Sequence, residues 1–228
     1  MKISTILTCA GNGCRFGHNK LIKPLCGKPV FIRTVEQFYR VKEIDEIIIA
    51  VRKDEMNYYQ KWLNKEKLPA KLVVGGEQRY ISAYNGVKQS KGDYVLIHDG
   101  DRPLVSLSLI KKIVAEVKQH QAVMTATKAY TCVKYVKSNF VEQCLPRAHT
   151  WLGQTPHAFK REIIIKAYKK AIKDKNFIGM DDCDFVSRLG IKVKVVPGDI
   201  YNIKITYPSD LIIVRHLYKK LRKEQDGL

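Results

Sequence analysis

Five short apolar runs rich in Ile and Val, at 3–8, 46–51, 71–74, 94–98 and 122–126, alternate with stretches at 30–40, 53–64, 78–89 and 106–120 whose apolar positions recur every three to four residues. The first set reads as strands and the second as amphipathic helices. Their alternation predicts an α/β fold, a mostly parallel Rossmann-like sheet with helices on both faces. Ligands of such sheets sit beyond the carboxyl ends of the strands, which makes the loops after the strands the place to seek chemistry. From 128 to 150 the pattern changes to two apolar edges, TCVKYV and FVEQCL, around Lys137-Ser138-Asn139, and predicts a β-hairpin arm. A helix over 161–173 follows, then a strand at 193–196. Lys204 is read inside a further strand, on the face opposite Ile203 and Ile205, and an amphipathic helix ends the chain.

A length of 228 residues suits one domain with an elaboration and can bury a core without staples. With 41 Lys and Arg against 22 Asp and Glu, the formal charge of +19 raises nucleic acid or an anionic membrane as partners. The basic residues are spread over the whole chain, however, with no aromatic-basic RNA motif and no recognition helix, so most read as solvated surface and no nucleic acid is expected. No apolar run approaches the eighteen or so residues of a membrane span, and the first thirteen residues read as a strand entering a loop, so a cytoplasmic protein is expected. The cysteines at 9, 14, 26, 132, 144 and 183 form no C-x-x-C pair and no metal-ligand spacing with histidine; they read as buried or incidental thiols.

The first strand runs into Ala10-Gly11-Asn12-Gly13-Cys14-Arg15-Phe16-Gly17, with Lys20 and Gly27-Lys28-Pro29 following. Glycines there let bare N–H groups approach an anion, and Arg15 and Lys20 supply charge for a polyphosphate. Neither the P-loop spacing nor the dinucleotide fingerprint is present. Beyond the third strand lies Gly75-Gly76-Glu77-Gln78-Arg79-Tyr80-Ile81-Ser82, and the fourth ends in His98-Asp99-Gly100-Asp101-Arg102-Pro103. A carboxylate at a strand's carboxyl end suits Mg²⁺, a hard cation that prefers carboxylate and phosphate oxygens, and Asp99 is the metal candidate.

These segments, with Gln154-Thr155-Pro156 and Asn202-Ile203-Lys204-Ile205-Thr206, resemble in order the motifs of the cytidylyltransferases that make CDP-ribitol and CDP-methylerythritol, from about residue 3 to 211. The resemblance implies a fold of the nucleotide-diphospho-sugar transferase type and transfer of CMP from CTP to a phosphorylated polyol, with Mg²⁺. It implies that Arg15, Lys20 and Lys204 serve the reacting phosphates, Lys23 being the alternative to Lys20. Ala10, Gly11, Gly13, Gly75, Gly76 and Ser82 would form the nucleotide site, and Arg102, Thr131, Arg147, Thr155 and Asp181 the acceptor site. It further implies a homodimer in which the arm at 128–150 lends residues to the partner's site. Asp101, Tyr130 and Met180 stand where the family has a small residue, Asp and Thr. Gly153-Gln154-Thr155-Pro156, Cys183 and Tyr201 favour D-ribitol 5-phosphate as acceptor, while Trp151 favours 2-C-methyl-D-erythritol 4-phosphate. Ribitol is therefore the expected acceptor, with methylerythritol the alternative. A basic RNA-binding module without turnover and a UTP- or GTP-dependent transferase are the other readings.

Overall fold

The computed structural model describes the chain except Asn12, His18, 175–178 and 226–228, and gives the backbone alone at Cys14 and 223–225. In chain order the strands are β1 (Ile3–Thr8), β2 (Pro24–Leu25), β3 (Lys28–Pro29), β4 (Glu46–Val51), β5 (Lys71–Val74), β6 (Tyr94–Asp99), β7 (Ala122–Lys128), β8 (Lys134–Lys137), β9 (Phe140–Cys144), β10 (Trp151–Lys160) and β11 (Lys194–Pro197). The helices are α1 (Val30–Tyr39), α2 (Met56–Lys65), α3 (Arg79–Gln89), α4 (Leu107–His120), α5 (Arg161–Lys173), α6 (Asp182–Ser187) and α7 (Pro208–Gln225). Seven strands form one sheet in the order β11-β7-β10-β6-β1-β4-β5, parallel except for β10. No helix among the described residues is long and apolar enough to cross a membrane.

Successive side chains of a strand point to opposite faces, and the two cores follow that alternation. Ile3, Leu7, Ile49 and Leu96 pack under α1, α2, α4 and α7, whereas Ile6, Ile48, Val95 and Ile97 pack under α3, α5 and α6. With both faces covered, every residue of β6 is buried. The strand runs therefore read as near-continuous apolar segments, and β1, β4 and β5 fall at the bounds their sequences predict.

Two expectations need correction. The ten residues of β10, not anticipated as a strand, insert antiparallel between β6 and β7. Gly153 and Pro156 lie within that run, and its register shifts between Gln154 and Ala158, so it lacks the regular apolar alternation of its neighbours. Lys204, expected inside a strand, lies in a segment outside every ladder. Its neighbours are held instead by Ile205 N–H donating to Asp101 O and Arg102 Nη1 donating to Asn202 O. The alternation survives without the ladder, for Ile205 is fully buried while Lys204 turns to Asp99.

The hairpin forms as predicted. β8 and β9 make a separate two-stranded sheet that turns through Ser138 and Asn139, with φ of 48° and 67°, and every residue of both strands is exposed.

Candidate active site

The loop after β1 is shaped by Gly13 and Gly17, whose φ of 63° and 83° L side chains rarely adopt. Gly13 O accepts from the N–H groups of Phe16 and Gly17, and the Phe16 ring is buried beneath. Asn19 accepts from Leu21 N–H at 3.0 Å and so caps the short turn that carries Lys20. This loop, the Gly76–Ser82 segment and the end of β6 enclose a cavity of about 380 Å³ lined by Ala10, Gly11, Gly13, Arg15, Lys20, Gly76, Ser82, Asp99 and Lys204. Lys23 does not line it. Gly75 lies just behind, where an added Cβ would stand 2.3 Å from Ala10 Cβ; the glycine is what lets the two loops touch. Ser82, expected in the nucleotide site, is buried, and its Oγ accepts from Gly76 N–H at 3.0 Å, holding the glycine turn.

Asp99 is the electrostatic centre. Its Oδ1 accepts from Arg79 Nε at 2.8 Å, and its Oδ2 lies 2.9 Å from Lys204 Nζ and 3.4 Å from Arg102 Nε. Burial by itself would push this carboxyl up, but Arg79, Lys204 and Arg102 together hold it well below the usual carboxylate range. Asp101 does not pair with Arg102. It takes Lys20 Nζ at 2.6 Å, so Lys20 and Lys204 are each held in place by a carboxylate.

A buried relay fixes the backbone beneath Asp99. Burial pushes the His98 imidazole down from 6.5 to about 3, overriding the pull of Asp99, and keeps it neutral. His98 Nε2 donates to Arg102 O at 3.2 Å, which leaves Nδ1 to accept from the Thr155 hydroxyl at 2.9 Å, while Thr155 Oγ1 accepts from Asp99 N–H at 3.1 Å. Because the folded protein resists a proton that the unfolded chain accepts, His98 contributes stability above pH 6.5 that is lost as pH falls toward 3. Between pH 7 and pH 5 the loss amounts to about 2 kcal/mol. Urea unfolding at pH 7, 6 and 5 checks it, the range lying above most carboxylate titration. A flat profile, or an equal decline in His98→Gln, would refute the assignment.

A second cavity of about 230 Å³ is lined by Arg102, Gln154, Thr155, His157, Met180 and Asp181, and it shares Arg79, Asp99 and Lys204 with the first. Asp181 is the N-cap of α6, its Oδ1 accepting from Cys183 and Asp184 N–H in a capping box with Asp184. Asp182, the next residue, is fully buried, taking Arg79 Nη1 at 2.8 Å, Tyr168 Oη at 2.7 Å and His157 Nδ1 at 3.0 Å. Arg79, bridging Asp99 and Asp182, is the functional candidate the sequence reading missed; it stands in the quoted Gly-Gly-x-x-Arg segment, and only the fold reveals its partners.

Thr131 and Arg147 are not brought to either cavity of their own chain. Both are exposed at the base of the arm, where Arg147 Nη2 lies 3.8 Å from Cys132 Sγ. The hairpin carries them away from Asp99 because β8 and β9 pair only with each other.

The family profile of 2-C-methyl-D-erythritol 4-phosphate cytidylyltransferase matches residues 3–220. The chain is similar to the enzyme of that name from Dictyoglomus thermophilum, 36% identical over 226 residues that cover 96% of this chain and 97% of the relative. It is also similar to that from Clostridium botulinum, 38% identical over 224 residues that cover 96% and 100%. Among solved structures, 4-diphosphocytidyl-2C-methyl-D-erythritol synthase from Anaerococcus prevotii superposes with a TM-score of 0.86 at 34% identity, covering 96% of each chain.

Proposed function

The chain belongs to the 2-C-methyl-D-erythritol 4-phosphate cytidylyltransferase family, and on that premise we propose that this cytidylyltransferase uses 2-C-methyl-D-erythritol 4-phosphate as its acceptor. The relatives' names favour this acceptor over D-ribitol 5-phosphate and reverse the order drawn from Gly153-Gln154-Thr155-Pro156, Cys183 and Tyr201. Residues 1–228 are read as a single catalytic domain.

The observation that carries the site assignment is the meeting of two cavities at Arg79, Asp99 and Lys204. The larger suits the nucleoside triphosphate and the smaller the phosphorylated polyol. An oxygen of the acceptor phosphate attacks the α-phosphorus, the bond from that phosphorus to the bridging oxygen of the β-phosphate breaks, and pyrophosphate leaves. The acceptor phosphate is already a competent nucleophile, so the protein's task is to bring two polyanions together and stabilise charge between them. Arg15 and Lys20 hold the departing phosphates, Lys204 the α-phosphate, and Arg102 the acceptor phosphate. The triphosphate draws Lys20 and Lys204 from Asp101 and Asp99, which hold them within reach beforehand.

The donor set accords with Mg²⁺, since Asp99 offers a carboxylate beside the Thr8 hydroxyl, and this ion takes one or two carboxylates together with phosphate oxygens. When bound it supplies positive charge against the phosphates, and Asp99 is the residue proposed to hold it.

The acceptor assignment is tested by following pyrophosphate release with CTP and each polyol phosphate at equal concentration. A kcat/KM for the methylerythritol substrate at least tenfold above that for ribitol 5-phosphate is expected, about 1.4 kcal/mol at the transition state. The reverse ratio would return the acceptor to ribitol and leave the cytidylyltransferase assignment in place.

A further inference from the structure

His157 and Asp181 line the smaller cavity, and Cys183 lies behind them, so that β10 and α6 bring together three side chains able to ligate a metal. His157 lies on β10, Asp181 caps α6, and Cys183 lies in the first turn of α6; one donor atom from each falls within 4.8 Å of the others. His157 Nε2 and Asp181 Oδ2 stand 3.9 Å apart, too far for a hydrogen bond. His157 and Cys183 are buried, with 2% and 6% of their surface exposed.

The imidazole is oriented as a ligand would be. Asp182 pairs with Arg79 as a carboxylate and can only accept, so His157 Nδ1 donates to Asp182 Oδ2, at 3.0 Å. Nε2 faces Asp181 and makes no hydrogen bond among the described residues. A carboxylate behind a histidine, fixing its tautomer, is the usual support of a metal-bound imidazole. The second carboxylate is equally divided in its tasks: Asp181 Oδ1 caps the helix, while Oδ2 faces His157.

We propose that His157 Nε2, Asp181 Oδ2 and Cys183 Sγ form a binding site for a borderline or soft divalent cation of the zinc class, distinct from the Mg²⁺ site at Asp99. A nitrogen, a sulfur and a carboxylate oxygen are the ligands zinc takes, three from protein with the fourth position open. Donor atoms of such an ion lie about 3.3–3.6 Å apart, so small side-chain rotations close the present spacing. Mg²⁺, which prefers an all-oxygen shell, competes poorly for the thiol. Cys183 is protonated in the free protein, so binding forms a metal–sulfur bond and releases the thiol proton to solvent. His157 and Asp181 line the cavity that also holds Arg102 and Thr155. Taken with the acceptor reading above, on which this consequence rests, the ion occupies Asp181 and opposes acceptor binding.

Cobalt(II), a spectroscopic substitute for zinc, tests the site in a Cys132→Ser/Cys144→Ser background that removes the exposed thiols of the arm. One Co²⁺ per chain with a thiolate-to-cobalt charge-transfer band is expected in millimolar Mg²⁺. The band should vanish in Cys183→Ser and weaken at least tenfold in apparent affinity in His157→Gln. Absence of the band, or a band that survives Cys183→Ser, overturns the proposal. With zinc added to the intact protein, a rise in KM for the polyol phosphate at unchanged KM for CTP supports the consequence. A cobalt band without that rise keeps the metal site and removes Asp181 from acceptor binding.

Discussion

Replacing Asp99 by asparagine is expected to lower kcat/KM for CMP transfer about a thousandfold, near 4 kcal/mol at the transition state. The substitution keeps size and shape, but a neutral amide is a far poorer Mg²⁺ ligand than a carboxylate. It also leaves Arg79, Lys204 and Arg102 without the counter-ion at 2.8, 2.9 and 3.4 Å that gathers them. Removing one member of a buried ionic group costs about 3–5 kcal/mol, so the variant's melting temperature should fall as well. The two effects separate in a metal titration. If Asp99 holds the ion, residual activity needs much higher Mg²⁺ and EDTA abolishes turnover in the parent enzyme. Were Asp99 only to gather the three cations, the Mg²⁺ dependence of the variant would match the parent's. A variant of near-normal rate removes Asp99 from the chemistry altogether.

The legible parts of the chain are those whose local pattern and tertiary role agree. β1 and β4 are short Ile/Val-rich runs buried on both faces, β5 is a short apolar run at the sheet edge, and the loop beyond β1 declares itself by its glycines and Arg15. β10 was hidden because a strand between β6 and β7 must pass the site, and Gly153, Gln154, Thr155 and His157 are there for contacts rather than for the core. Thr155 illustrates the difference: in sequence it reads as a substrate contact, and in the fold its hydroxyl links His98 to the backbone of Asp99. Arg79 is one basic residue among 41, and nothing local separates it from a solvated arginine. Its partners stand 20 and 103 positions away. Asp182 has the same difficulty, since a buried acid beside a helix start looks in sequence like an ordinary cap. Cysteine spacing along the chain carries no sign of a cluster such as His157 with Cys183, which β10 and α6 assemble only in the fold.

The arm is the element that a single chain leaves without a purpose. Tyr135, Val136, Phe140 and Val141 on it are each more than half exposed, and Tyr130 at its base is 76% exposed. Beside that base lies an apolar hollow of about 780 Å³ lined by Ala126, Tyr130, Trp151, Leu152 and Ile200. An exposed apolar hairpin next to an apolar hollow calls for a covering surface, and a second copy of the chain, exchanging arm and hollow, would supply one. Thr131 and Arg147 would then reach the partner's acceptor cavity, which their own fold denies them. Two variants put this to a decisive measurement. Arg147→Ala removes a residue contributed by the arm, Lys204→Ala removes one from the main body, and each should be nearly inactive by itself. Random exchange of subunits makes half of the dimers mixed. In a mixed dimer whose sites combine two chains, one site carries both substitutions and the other carries neither, so about a quarter of parental activity should return. If each site were built from one chain, every site in the mixture would carry one substitution and nothing would return. Sedimentation of the parent enzyme at micromolar concentration provides the independent check, since an active monomer is incompatible with a shared site.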